Sequence, residues 1–357
     1  MSEGVFREEV TVLLKRRVNI IAGVAVIFTL IIPAWIFIFQ ESLAVTRAKY
    51  RQMTGLERLE YNNNNLDDAD ELLTDHLRVA LPKNYKEEDI STYVEPVSQI
   101  ITVFVPKVTE AFIYDNPIVG CDKGIQAMDA GPSDLGLRID IQTDDLYEPE
   151  LLFENDHLYI SFRNPRELYD RIVVVDPGHG GEDTGMVVQG CNESDLNLSI
   201  AKYVQQMFED KGIRVYMTRS EDITTGLDQR VSLANKLKAD AFISIHCNAE
   251  KDDNNVMKGT QVLYNAEDTS GAGLRLSELC MDGVTQHFGS VRLLCSKGND
   301  IYIVRKSKVP VSLVEVGFMT NKEELNKLIS PEGQRNAAAG IIDGVMKAYE
   351  RGIIHDE

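Results

Sequence analysis

Residues 171–181 read Arg-Ile-Val-Val-Val-Asp-Pro-Gly-His-Gly-Gly, and this stretch decides the fold class. The run Ile172 to Val175 is β-branched throughout and shows no polar alternation, so it suits a strand buried on both faces. Pro177, Gly178, Gly180 and Gly181 then break the strand, with His179 among them. In open α/β sheets the ligand site forms just beyond the carboxyl ends of the strands, which is where this imidazole falls.

Downstream the pattern repeats. From Asp195 to Asp210, Ile200, Tyr203, Val204, Met207 and Phe208 share one helical face, and Gly212 closes the element. IRVYMTR, AFISIHC, TQVLY, IYIVR and VSLVEVG read as further strands, with helices around 227–238, 271–288, 321–330 and 332–350. Asn321 followed by Glu324 has the spacing of a helix cap. Strands alternating with helices predict an α/β fold: an open, mostly parallel sheet flanked by helices, over residues 170–351.

Upstream the character changes. Residues 91–168 hold short β-type runs (STYVEPVSQIITVFV, GLRIDIQT, HLYISF) between the turn clusters YDNP, AGPSD and ENDH, and predict a small β-rich domain. Residues 40–90 are polar, with the acidic, Asn-rich run YNNNNLDDADELL, and read as a stalk or linker. ESLAVTRAKYRQMTGLERL within it has the composition of a juxtamembrane helix. Residues 18–39 carry no charge and are long enough to cross a ~30 Å hydrocarbon core, so they are expected to form a transmembrane anchor. The alternative is a cleaved signal peptide, whose apolar region usually spans only about 7–15 residues. Lys15, Arg16 and Arg17 favour a cytoplasmic 1–17, although Arg47, Lys49 and Arg51 weaken the asymmetry.

Composition narrows the function classes. The 357 residues are 43% hydrophobic and 26% charged, ordinary for globular domains, and the net charge of −19 argues against a nucleic-acid partner. Five cysteines with no CxxC pair indicate neither a disulfide framework nor a cysteine-rich zinc site; a single Cys280–Cys295 bridge is left open.

Four polar side chains fall where the sheet should place its site. His179 follows the first strand, His246 ends AFISIH, Glu315 lies in the apolar run VSLVEVG, and Glu193 stands at the mouth of the first helix. Two histidines and one carboxylate, with a coordination position left for water, make a catalytic zinc site, and a second carboxylate can carry protons. Each residue alone has a plainer role: packed histidines, a carboxylate at a helix start, a buried salt-bridge partner. His287 suits helix packing or exposure, while His76, His157 and His355 lie in stalk, β-rich domain and tail. Neither GxGxxG nor GxxxxGK[ST] is present, so the glycines around His179 fit a nucleotide site poorly.

With these residues in view, the second half resembles the zinc-dependent N-acetylmuramoyl-L-alanine amidases of the Amidase_3 family. VVVDPGHGG, ESDLNLSIA, VYMTR, RVSLAN, ADAFISIHCNA and VEVGFMTN occur in the family's order, from about Arg171 to Tyr349. The resemblance implies that His179, Glu193 and His246 bind one Zn2+ and that Glu315 is the general base and acid. It implies hydrolysis of the amide between N-acetylmuramic acid and L-alanine in peptidoglycan. Asp176, Arg219, Arg230 and Asn235 also match family positions; Asp176 is expected to shape the turn before His179 and the others to stabilise the fold. A peptidase, a deacetylase or a non-catalytic wall-binding protein are the competing functions. Peptidoglycan as partner places the catalytic domain outside the cytoplasm, tethered by a single pass of the cytoplasmic membrane. GLRIDIQTDDLYEPELLFENDHLYISF resembles the end of the AMIN-type wall-binding module, a structural spacer being the alternative.

Two departures stand out. Cys247 takes a place where the family has a small residue, and strand alternation should turn it into the packing. The interval from Tyr264 to Ile301 is too short for a long inhibitory helix, which predicts an open site.

Overall fold

The computed structural model describes residues 40, 47–65, 75–250 and 256–354. The chain divides into two compact units, residues 1–68 and 69–357. Residues 1–17, the expected anchor at 18–39 and His355 lie outside the described residues. Among the described residues no helix is long and apolar enough to cross a membrane.

In the first unit, helix α1 (Gly55–Asn64) begins with a capping box. The Thr54 hydroxyl accepts from the Glu57 N–H at 3.3 Å, and Glu57 Oε2 accepts from the Thr54 N–H at 2.7 Å. Two otherwise unpaired donors are thereby satisfied.

The second unit begins with a β-rich part: β1 (Leu77–Ala80), β2 (Ser91–Glu95), β3 (Ile100–Pro106), helix α2 (Glu110–Asp115), β4 (Val119–Gly120), β5 (Ile125–Pro132), β6 (Gly136–Thr143), β7 (Glu148–Glu154) and β8 (His157–Arg163). They form two four-stranded antiparallel sheets, ordered β4-β1-β8-β7 and β2-β3-β6-β5. Every second residue along β3 and β6 is buried, from Ile101 to Val105 and from Leu137 to Ile141, as period-two alternation requires. The ENDH cluster forms the β7–β8 turn with Asn155 and Asp156 at φ 49° and 59°, the conformation that two-residue hairpins favour.

The sequence set the stalk's end at residue 90, and the structure moves it. Strand β1 lies inside that stretch, pairs with β4 and β8, and buries Leu77 and Val79. Four residues of strand give too little alternation to separate from a polar linker.

After the short helix α3 (Pro165–Leu168) comes the α/β part: β9 (Ile172–Pro177), β10 (Val187–Val188), β11 (Cys191–Asn192), α4 (Glu193–Glu209), β12 (Arg214–Met217), α5 (Leu227–Lys236), β13 (Ala241–Asn248), β14 (Thr260–Tyr264), α6 (Ala272–Phe288), β15 (Arg292–Lys297), α7 (Tyr302–Lys306), β16 (Val311–Phe318), α8 (Lys322–Leu328) and α9 (Pro331–Glu350). Its sheet runs β12-β9-β13-β16-β14-β15 and is parallel except where β14 meets β16. The expected open, mostly parallel sheet is therefore present.

Alternation sorts each strand between two cores. Val173, Val175, Ile243 and Val314 pack with α4, α6 and α9, whereas Ile172, Val174, Phe242 and Leu313 pack with α5 and α7. The predicted face of α4 is buried at Ile200, Val204 and Phe208. Asn321 caps α8, accepting from the N–H groups of Glu323 and Glu324.

IYIVR, expected as a strand, is the helix α7, and the strand between TQVLY and VSLVEVG is instead β15, from RLLCSK. Ile303 and Val304 are adjacent and both enter the α5/α7 core, which one helical turn allows and an alternating strand does not. Short apolar runs do not distinguish the two. All five cysteines are free, so the Cys280–Cys295 bridge is absent.

The β-rich part is not a detached module. Leu146 sits in the α5/α7 core with Val94 and Val97 packed against it. Buried Glu148 accepts from Arg214 Nη2 at 2.6 Å and from the Tyr216 hydroxyl. Arg166 on α3 donates to the Leu237 carbonyl at 3.1 Å and to Asp240 Oδ1 at 2.9 Å.

Candidate metal centre

His179 leaves β9 on a turn with φ 61°, a left-handed conformation rare for a non-glycine residue and concentrated at functional sites. Two buried arginines hold that turn. Arg230 donates to the carbonyls of Pro177 at 2.8 Å and His179 at 2.7 Å, and Arg219 donates to those of Pro177 and Gly178 at 3.0 Å. Beneath them lies Asp176, buried and saturated: Thr218 and Arg230 donate to Oδ1 at 2.6 and 2.7 Å, and Ser244 to Oδ2 at 2.7 Å. Burial opposes charge on Asp176, but Arg230 and the two hydroxyls outweigh it and hold the pKa below the usual carboxylate value. Asn235 acts further off, tying the Lys306 carbonyl and the Lys308 N–H at 3.1 and 2.8 Å.

Glu193 opens α4, His246 lies on β13, and both turn toward His179. Glu193 Oε1 is 3.2 Å from His179 Nε2 and 2.9 Å from His246 Nδ1, and one ligand atom from each of the three residues falls within a 4.8 Å cluster. Such closeness requires glycine at two points. A Cβ on Gly178 would stand 2.2 Å from the His246 ring, and one on Gly185 would stand 2.6 Å from Glu193 Oε2.

The electrostatics follow from that geometry. Burial disfavours charge on His179, but its hydrogen bonds to Glu193 and Asp183 prevail and raise its pKa to about 9. His246 is raised as well: burial acts against it, and Glu193 and Glu315 overcome the penalty. Burial pushes Glu193 up while the two imidazoles pull it far lower, leaving a strongly held carboxylate.

Glu315 is Cα partner to His246 across β13 and β16, and on its other side stands Gln261 of β14. Its Oε2 is buried and has no hydrogen-bond partner among the described residues. Burial raises its pKa, the two imidazoles oppose this, and the Glu193 charge adds to it. A buried oxygen with no partner is a costly and unusual thing to keep, and calls for a functional account.

His179, Glu193 and His246 meet here and Glu315 stands in register beside His246, while His287 is exposed on α6 within 3.9 Å of Asp343. Cys247 is buried in the α4/α6/α9 core, as alternation predicted. The interval from Tyr264 to Ile301 does contain a 17-residue helix, α6, but it buries Leu276, Cys280, Met281 and Val284 in that same core.

Two contributors escaped the sequence reading. Asp183 Oδ2 lies 2.8 Å from His179 Nδ1, fixing the ring so that Nε2 faces Glu193. Asn197 donates to the Gly178 carbonyl at 3.2 Å and to Glu193 Oε1 at 3.4 Å. The available signals were an acid four residues after His179 and a buried amide one turn after Glu193.

The donor set fits zinc. Two ligand atoms each ~2.1 Å from one ion are at most about 4.2 Å apart, which the two carboxylate–imidazole spacings satisfy. An open α/β sheet gathering two imidazoles and a carboxylate about one point, beside an unpartnered carboxyl, defines a candidate metal centre of the kind that serves hydrolysis.

Comparison with known proteins supplies the family. Residues 173–347 match the Amidase_3 profile, described as N-acetylmuramoyl-L-alanine amidase. The uncharacterized protein YqiI of Bacillus subtilis (strain 168) is 33% identical over 183 residues, which is 51% of this chain and 86% of YqiI. N-acetylmuramoyl-L-alanine amidase LytC of the same organism is 33% identical over 177 residues, 50% of this chain and 35% of LytC. A solved structure, the N-acetylmuramoyl-L-alanine amidase from Clostridium difficile 630, aligns at 33% identity with a TM-score of 0.48, covering 50% of this chain and 96% of that one. The chain belongs to the Amidase_3 family of N-acetylmuramoyl-L-alanine amidases.

Proposed function

We propose that this chain hydrolyses the amide joining the lactyl group of N-acetylmuramic acid to L-alanine of the stem peptide in peptidoglycan. His179, Glu193 and His246 would hold a zinc ion, and Glu315 would move the proton. The observation that carries this reading is Glu315, whose buried Oε2 has no partner among the described residues, in register beside His246 of the ligand cluster.

A zinc ion held there supplies a Lewis acid that polarises the scissile carbonyl and lowers the pKa of water toward about 7. Glu315, its pKa raised by burial, takes the proton from water as the oxygen attacks the carbonyl carbon. It returns that proton to the L-alanine nitrogen as the C–N bond breaks, leaving a lactyl carboxylate and a free amine. Asp183 keeps the His179 ring oriented, and Arg219 and Arg230 keep its backbone turn closed.

Substrate location supports the remaining part of the proposal. Peptidoglycan lies outside the cytoplasmic membrane, so the uncharged run at 18–39 would tether the chain with its catalytic part on the outer side.

Digestion of purified peptidoglycan by the full chain tests the activity. Mass analysis should find free stem peptides beginning with L-alanine and intact glycan, and a chelator should abolish their release. Cleavage within the stem peptide, loss of acetyl groups, or undiminished release after demonstrated metal removal would each overturn the reading.

A further inference from the structure

The hydrolytic reading leaves a second cleft unused. It lies between the β-rich part and the α/β sheet, has a volume of about 480 Å³, and is lined by Thr92 to Glu95 of β2 and Arg214 to Met217 of β12. That volume is within the ~300–1,000 Å³ usual for ligand clefts.

Both strands are sheet margins: among the described residues β2 pairs only with β3, and β12 only with β9. A strand that turned one face to a cavity would contribute alternate residues. Here each contributes four in succession, so their backbone edges border the space. On β12 the N–H groups of Arg214 and Thr218 donate to the Arg171 and Val175 carbonyls at 3.0 Å. Alternation then turns the N–H and C=O of Val215 and Met217 away from β9 and into the cleft. Free edges of this kind are templates for an added strand.

The charge of the lining describes the guest. Arg214 is fixed by Glu148 and by the Tyr169 and Tyr216 rings, 5.1 and 5.0 Å from its guanidinium, yet its Nε is buried without an acceptor among the described residues. Arg214 is neutralised by Glu148, whereas Glu95 and Glu209 also line the cleft with no Lys or Arg partner among the described residues. The lining is net acidic, and a chain of net charge −19 makes a poor partner for its own copy.

We propose that this cleft binds an extended basic segment of a partner polypeptide, which adds as a strand along β12 and sets its cationic side chains against Glu95 and Glu209. The inference does not depend on the reaction proposed above.

The test uses the full chain and a fluorescein-labelled octapeptide of alternating lysine and valine, followed by fluorescence anisotropy. Binding should weaken at least tenfold for an alternating glutamate–valine peptide, and equally for the lysine peptide N-methylated at alternate amides. The double variant Glu95→Lys/Glu209→Lys should bind at least tenfold more weakly than the parent while releasing muropeptides at the parent rate. Hydrogen exchange across 214–217 should slow in the complex. No binding, or unchanged binding of the N-methylated peptide or by the double variant, would overturn the proposal. Displacement of the bound peptide by glycan strands stripped of their stem peptides would also overturn it, by assigning the cleft to saccharide.

Discussion

Strands β9 and β16 of the same sheet each carry an acidic side chain, Asp176 and Glu315, and the two are treated in opposite ways. Asp176 receives three side-chain hydrogen bonds, one from a buried arginine, and is held ionised below its usual range. Glu315, two strands away, keeps a buried oxygen without a partner, and burial drives its pKa up. Both stand among largely apolar strand neighbours. What separates a carboxylate held ionised from one whose pKa is raised is thus the number of donors aimed at it, rather than depth alone.

The contrast breaks most readily at Glu315. Replacement Glu315→Gln is nearly isosteric and removes the proton carrier, so muropeptide release should fall by about 10²–10⁴-fold. Zinc stoichiometry and the denaturation midpoint should be close to those of the parent; loss of zinc along with activity would mean that Glu315 is a ligand.

Asp176→Asn should invert that result. Removing one member of a buried pair leaves Arg230 uncompensated, a loss of about 3–5 kcal/mol in denaturant unfolding. Because the folded-state pKa of Asp176 lies below its unfolded value, its contribution is complete above pH ~4 and fades as pH falls further. The gap between parent and variant should therefore narrow on acidification below pH ~4, and a gap independent of pH would contradict the assignment.

Asp183→Asn should be milder and specific. The turn is still held by Arg219 and Arg230, so unfolding should change little, while zinc affinity in a chelator competition should weaken about 10–100-fold. In the parent, zinc would displace a proton from His179, which its hydrogen bonds to Glu193 and Asp183 keep charged at neutral pH. Apparent affinity should rise with pH and level off above about 9, where His179 is neutral in the metal-free protein. The smallest effect belongs to Asn235→Ala, which removes two hydrogen bonds at 306–308 and should cost about 1–2 kcal/mol with the reaction rate per folded molecule unchanged.

Legibility from the sequence followed the strength of the local signal. Ile172 to Val175 and Val311 to Val314 announce doubly covered strands, and polar residues at their ends have few other places to go. Hence His179, His246 and Glu315 could be read in advance. The four-residue β1 and the neighbouring RLLCSK and IYIVRK could not, because each is too short for its period to register and its state is chosen by packing partners distant in sequence. Asp183 was hidden for another reason. Its partnership with His179 depends on the left-handed turn at His179, and no residue type predicts that turn when the position is not glycine.

Leu146 carries one more consequence. It is contributed by the β-rich part, yet it lies 3% exposed in the core beneath α5 and α7, and the buried Glu148 carboxylate two residues later is shared with Arg214 and Tyr216. Cutting the chain near residue 170 would strip a side chain from that interior and leave a guanidinium without its counter-ion. The domain boundary expected near residue 170 is therefore a seam inside one compact unit, and the α/β half inherits part of its solidity from the β-rich neighbour.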